Sequence, residues 1–243
     1  MIIAATVIIA ATVLTRESTA HQQPLSKGRG GVLADQYFLI AHEDRTGRSR
    51  LHPRATGLGL AAALLGELIL EGRIGISEGD LIILDRHPPS DALAHDILDL
   101  LVAQPQHRDV RIWLAFLSQE AAVRVGERLS RLGAVEPVTR RRMLSTETLY
   151  MPNSPAQRNA AAWAPARLAN LLVRGIGMSI SDRVLIGLVA ATGLTRHVLY
   201  DFEAHRHAFQ SLPSAVGSLP ADLRELVEYT EASVGSVVTV GRR

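Results

Sequence analysis

No cysteine occurs in the 243 residues, which excludes disulfides and thiolate metal sites and leaves the compartment open. Aromatic residues are nearly as scarce at 4%, although 47% of the chain is hydrophobic. The core must therefore be leucine, alanine, valine and isoleucine, a composition suited to helix packing. Charge of one sign is lacking too. The 26 Lys+Arg against 24 Asp+Glu leave a net charge of +2, too little to argue for nucleic acid on electrostatic grounds. Lysine itself is almost missing: Lys27 stands alone against 25 arginines. A GC-rich codon bias explains that ratio, yet clustered arginines still present planar forks suited to phosphate.

The chain also lacks an obvious bilayer-spanning run. The N-terminal stretch Ile2–Val7 repeats as Ile8–Val13 (IIAATV, IIAATV), matching a signal-peptide core and falling short of an ordinary transmembrane helix. No basic residue precedes it, while Ser18-Thr19-Ala20 mimics a cleavage site. Residues 15–31 are polar and rich in Gln, Ser and Gly, as in a linker. A secretory signal, a membrane-touching arm and a disordered or mis-assigned start are three open readings of residues 1–31. The second apolar run, 58–70, carries Glu67 as its only charge. A helix apolar on nearly every side must be buried or in a membrane, and this run is too short to span. It is expected to be the central helix of an all-helical core.

Around it the pattern is regular. Residues 33–42 read as a short helix and 43–50 as a polar loop. Pro53 and Thr56 mark the entry to the central helix and Gly72 its exit. Residues 75–85 form a small hairpin around Glu78-Gly79. After Pro88-Pro89, Ser90 is the expected N-cap of a helix over 91–103. Residues 110–132 are helical with a break near Ser118, and 135–151 form a second hairpin with Arg140-Arg141-Arg142 at its tip. Further helices are expected over 156–173, 182–192 and 220–234. The fold class is thus mainly α: a single globular helical domain over 32–243 around a buried central helix, with one or two small β-hairpins, preceded by a flexible arm over 1–31.

Residues 120–132 carry the strongest functional signal. Ala122, Val125, Leu129 and Leu132 recur at helical spacing toward the core, while Arg124, Arg128 and Arg131 share another face. The bland alternative is a solvated face softened by Glu120 and Glu127. With Arg140, Arg141 and Arg142 close behind, six arginines could hold a phosphorylated headgroup or lie on an anionic membrane. Each such cation is worth on the order of 1 kcal/mol there.

The ordered set Leu33-Ala34-Asp35, Asp44-Arg45-Thr46-Gly47 and Glu67-Leu68-Ile69-Leu70-Glu71-Gly72-Arg73 resembles the Golgi phosphoprotein 3 family in its bacterial form. The resemblance implies a helical, non-enzymatic peripheral membrane protein. Eukaryotic members look like monotopic adaptors that recognise phosphatidylinositol-4-phosphate through a tryptophan and three arginines and dip an apolar hairpin into the bilayer. Aligning the helix ends puts His52, Ala61, Gln119 and Ala122 at those four positions, and none matches. The hairpin over 135–151 departs too, offering arginines where the family offers apolar residues. Arg54, Arg124 and Arg128, with His52, are the nearest substitutes for a headgroup site, and Arg140, Arg141 and Arg142 for the membrane-surface hairpin.

Other candidate sites have a bland explanation. Gly57-Leu58-Gly59-Leu60-Ala61-Ala62 has dinucleotide spacing, but the preceding residues 50–56 contain Pro53 and charges instead of a strand. His205 and His207 lie two apart, whereas helical metal sites prefer three or four. No nucleophile elbow occurs, and Trp113 and Trp163 are expected to be core anchors. No catalytic group, cofactor or metal site is expected. The partners are an anionic phospholipid membrane surface and a membrane-protein client, with no nucleic acid. The expected location is cytoplasmic and peripherally membrane-associated. The alternative is a protein–protein interaction module without lipid binding.

Overall fold

The computed structural model describes residues 33–141, 146–175, 177–199 and 206–240. The arm over 1–31, the tip residue Arg142 and His205 lie outside the described residues, as does the side chain of His207. Within them run ten helices and two antiparallel hairpins: α1 (Leu33–Ala41), α2 (Pro53–Leu70), β1 (Ile74–Ser77), β2 (Asp80–Ile83), α3 (Ala92–Ala103), α4 (Val110–Leu117), α5 (Ala121–Arg131), β3 (Glu136–Arg141), β4 (Thr146–Met151), α6 (Pro155–Arg174), α7 (Ile180–Ala191), α8 (Thr195–Val198), α9 (Arg206–Gly217) and α10 (Ala221–Val240).

Helix α2 is the centre, as its composition requires. Fifteen of its eighteen residues are buried, and α1, α4, α5, α7 and α10 pack around it. It is longer than the apolar run alone implied: eighteen residues rise about 27 Å, so by length and composition α2 could cross a bilayer. Neighbouring helices occupy the faces a bilayer would cover, so it serves as core. Pro53 sits in its first turn behind His52, whose Nδ1 accepts from the Arg54 amide at 3.3 Å. Its glycines serve packing. A Cβ on Gly57 would lie 2.3 Å from the Ser118 carbonyl oxygen, so only glycine lets the end of α4 approach so closely. The dinucleotide-like spacing is thus helix interior rather than a phosphate turn.

The first hairpin forms as expected, with Ile74 opposite Ile83 and Ser77 opposite Asp80. Glu78 and Gly79 both take positive φ, at 55° and 82°, the two-residue turn whose twist suits paired strands. Helix α3 begins one residue later than expected. Its N-cap is Asp91, not Ser90, and the carboxylate accepts from the Ala94 amide at 2.9 Å. Trp113 is core, 3% exposed, with its indole N–H donating to the His107 carbonyl at 2.7 Å. Trp163 is not: it is 60% exposed on α6. Helices α8 and α9 had no sequence counterpart: α8 is a single turn, and in α9 Pro213 interrupts the spacing of Ala208, Leu212, Ala215 and Val216 that packs it on the core.

Candidate functional site

Helix α5 turns its three arginines to three different fates. Val125 and Leu129 are buried against α2, and Arg128 lies close to that stripe on the helical wheel. It is drawn inward, with its side chain 5% exposed. There the guanidinium spreads over three carboxylates from three elements. Its Nε donates to Asp35 Oδ1 at 2.8 Å. Two parallel bonds of 3.0 and 3.1 Å reach both oxygens of Glu67, and another of 3.1 Å reaches Asp91 Oδ2. Glu67 also accepts from the Ala34 amide at 2.8 Å, a donor left unpaired by the start of α1.

Three acids around one cation leave an excess of negative charge in a dry site. Burial pushes the Glu67 carboxyl up to about 7 against the pull of Arg128. Burial likewise pushes Asp35 up to about 6. For Arg128 itself burial disfavours the charge, but Glu67, Asp35 and Asp91 outweigh it and hold the guanidinium protonated. Among the described residues no group of three or more His, Cys, Asp or Glu is arranged to hold a metal ion.

Arg128 therefore does not stand with the other expected headgroup residues. His52 and Arg54 are exposed at the start of α2. Arg124 lines a small cleft of about 90 Å³ beside Leu64 and Gln119. Arg54 and Leu64 are ten residues apart on α2, hence about 15 Å along its axis. The four residues form no common cradle. Arg124 does share its cleft with Gln119, one of the positions aligned with the family's arginines, whereas Ala61 is wholly buried.

A larger groove, about 470 Å³, runs between α3, α5 and the second hairpin. Arg124, Ser130, Arg131, Asp96, Glu127 and Tyr150 line it. Asp96 pairs with Arg124 at 2.8 Å, while Arg131 is exposed and, among the described residues, has no carboxylate within ion-pair distance. The hairpin closes the groove because Gly126 leaves room for Tyr150. A Cβ there would lie 2.4 Å from the ring. Strand register alternates the faces. Pro137 opposite Tyr150 faces α5, while Val138, Leu149 and Arg140 share the other face. Against that second face sits the 44–47 turn, with Gly47 within contact distance of Leu149 and Met151. Exposed Arg45 and Arg48 are thereby brought to the hairpin that carries exposed Arg140. Arg141, opposite Thr146, ends β3.

A family model described as Golgi phosphoprotein 3 (GPP34) matches residues 33–230. No curated protein matches the chain.

Proposed function

The chain belongs to the Golgi phosphoprotein 3 family, and from that premise we propose that it is a non-enzymatic peripheral membrane adaptor binding anionic phospholipid headgroups at the cytoplasmic face of a membrane. One observation carries the reading. An open groove between α3, α5 and the β3–β4 hairpin is edged by Arg131, which has no ion-pair partner among the described residues, beside a hairpin and turn that present Arg45, Arg48 and Arg140 to solvent. Planar guanidinium groups suit phosphate oxygens, and several such charges together give reversible attachment to an anionic leaflet. Arg124 supplies a further fork once its exposed pairing with Asp96 is exchanged for phosphate. Such exposed pairs cost little to break. His52 and Arg54, at the far end of α2, extend the contact surface, and Arg141 and Arg142, next in sequence after Arg140, are proposed to join it. Arg128 enters only as the residue that fixes α5 against α1 and α2.

The reading leaves the preferred lipid to experiment, since the residues aligned with the family's headgroup site differ here. Co-sedimentation with neutral, phosphatidylglycerol-containing and phosphoinositide-containing vesicles at low and high salt tests it. Binding to the anionic vesicles, lost in high salt and weakened about fivefold for each of Arg131→Ala and Arg140→Ala, is the expected result. A folded protein that ignores every vesicle composition would overturn it and favour a protein–protein module.

A further inference from the structure

Helix α6 presents a face that the reading above does not use. From Thr148 to Ser181 the chain contains no Asp or Glu, but it does contain Arg158, Arg167 and Arg174. The helix shows solvent Trp163 at 60% exposure and Val173 at 51%, with Ile180 at 45% just beyond it. Ala162 just before the indole, and Ala166 and Asn170 after it, are also exposed. Trp163, Ala166, Arg167, Asn170, Leu171 and Arg174 line a shallow, mainly apolar groove of about 300 Å³. Arg167 lies over the indole with its guanidinium carbon 5.4 Å from the ring centroid. It is held there by Asp182 at 2.5 Å and Gln36 at 3.1 Å.

The electrical character of this face follows. Asp182, the first acid after the span, is buried and spent on Arg167 and on the Ser179 cap. The charges left facing water are Arg158, whose guanidinium donates to the Asn153 carbonyl at 3.3 Å, and the exposed Arg174. An exposed tryptophan among small residues, with Arg158 and Arg174 the only charges that this span turns to water among the described residues, has the make-up of a helix lying in a membrane interface. There an indole sits at headgroup depth and arginines meet phosphate.

Resting on the membrane reading above, we infer that the outward face of α6 is a second membrane contact, seating Trp163 among the headgroups of an anionic leaflet with Arg174 on a lipid phosphate. The occupant is lipid rather than a second copy of the chain, because two copies related by a two-fold axis would bring like-charged faces together. Helix α6 also starts at the base of the basic hairpin. Asn153 donates to Glu136 at 2.8 Å and Gln157 to the Gly133 carbonyl at 2.9 Å, so the two surfaces adjoin.

The chain has two tryptophans, and Trp113 is shielded, so Trp163 is its own reporter. The full chain is mixed with vesicles of phosphatidylglycerol brominated on the acyl chains, with sedimentation and tryptophan emission read on the same samples. Bound protein is expected to show quenched, blue-shifted emission and reduced acrylamide quenching. Trp163→Phe should abolish the emission change while circular dichroism stays unaltered. Arg174→Ala should weaken binding about fivefold, the worth of one cation at an anionic surface. Sedimentation with unchanged emission would overturn this inference and leave the groove-and-hairpin reading standing. No sedimentation would overturn both. Concentration-dependent dimerisation that protects Trp163 without lipid would assign the face to a second copy and likewise overturn it.

Discussion

Replacing Arg128 by methionine keeps an apolar stem of similar reach and removes the one cation serving Asp35, Glu67 and Asp91. Glu67 is fully buried and Arg128 nearly so, and the cluster ties α5 to α1, to α2 and to the N-cap of α3. Removing one partner of a buried ion pair typically costs about 3–5 kcal/mol, because the other charge stays behind unpaired. That is a large part of the roughly 5–15 kcal/mol that holds a typical domain together. The exposed Arg124–Asp96 pair serves as control: Arg124→Ala should cost about 0–1 kcal/mol.

The loss should also depend on pH in a defined sense. A carboxylic acid whose folded pKa lies above its unfolded value contributes stability below the unfolded pKa and loses it as pH rises through the folded one. Asp35 and Glu67, pushed up by burial to about 6 and 7, are such groups, and without Arg128 both rise further. The variant must therefore lose more stability at pH 8 than at pH 5, where protons replace the missing cation. Urea denaturation followed by circular dichroism at both pH values measures it, and any background titration common to both proteins cancels in the difference. A loss under about 1 kcal/mol at pH 8, or an equal loss at both pH values, would refute the view that Arg128 serves the fold.

Between about pH 4.5 and 7 the unmodified protein should lose stability as pH rises, because the fold keeps Asp35 and Glu67 protonated up to about 6 and 7, whereas the unfolded chain sheds those protons near 3.8 and 4.5. His42 opposes them: its pKa is lowered to about 4, chiefly by burial, so its share is present above about 6.5 and lost as pH falls through 4. A His42→Phe variant should steepen the fall between about pH 4.5 and 6 in the same denaturation series, and an unchanged slope would contradict the assignment. Gly57→Ala must push the start of α2 off the Ser118 carbonyl, backbone against backbone. It should cost about 1–3 kcal/mol, whereas Gly72→Ala, with no atom within 4 Å of its added carbon, should suffer only from its positive φ of 67°. Thermal melts of the two variants compare the causes. A neutral Gly57→Ala would mean that α4 can retreat freely.

Much of the fold could be read from the chain because its main signals are local. The apolar run of α2 and the Glu78-Gly79 turn state their structure within a few residues of themselves, and so does Gly72 at the α2 exit. The second hairpin was legible for the same reason. Trp163 was not, because a tryptophan among alanines reads as core whether or not a neighbour covers it. Only tertiary packing decides that α6 buries Ala161, Ala164, Leu168 and Leu172 and turns the indole outward. The cap of α3 was misplaced by a single residue, since Ser90 and Asp91 are both good caps and the backbone chooses between them.

The inward turn of Arg128 had a signal in the sequence. A single glutamate inside an otherwise apolar helix cannot be buried without a cation or a proton. Glu67 therefore demanded a partner, and so did the acid of Leu33-Ala34-Asp35 once α1 was packed on α2. Arg128 lies nearest the apolar stripe of α5, while Arg124 and Arg131 lie further round. Counting buried acids before counting exposed cations would have assigned Arg128 to the interior. The same count gives Asp35 and Glu67 their structural role: their carboxylates meet on one guanidinium and lock three helices and a cap together. The arginines available to the proposed membrane surface are those the interior leaves unspent. Arg131 sits at the groove, Arg45, Arg48 and Arg140 surround the hairpin, and Arg174 stands beside Trp163.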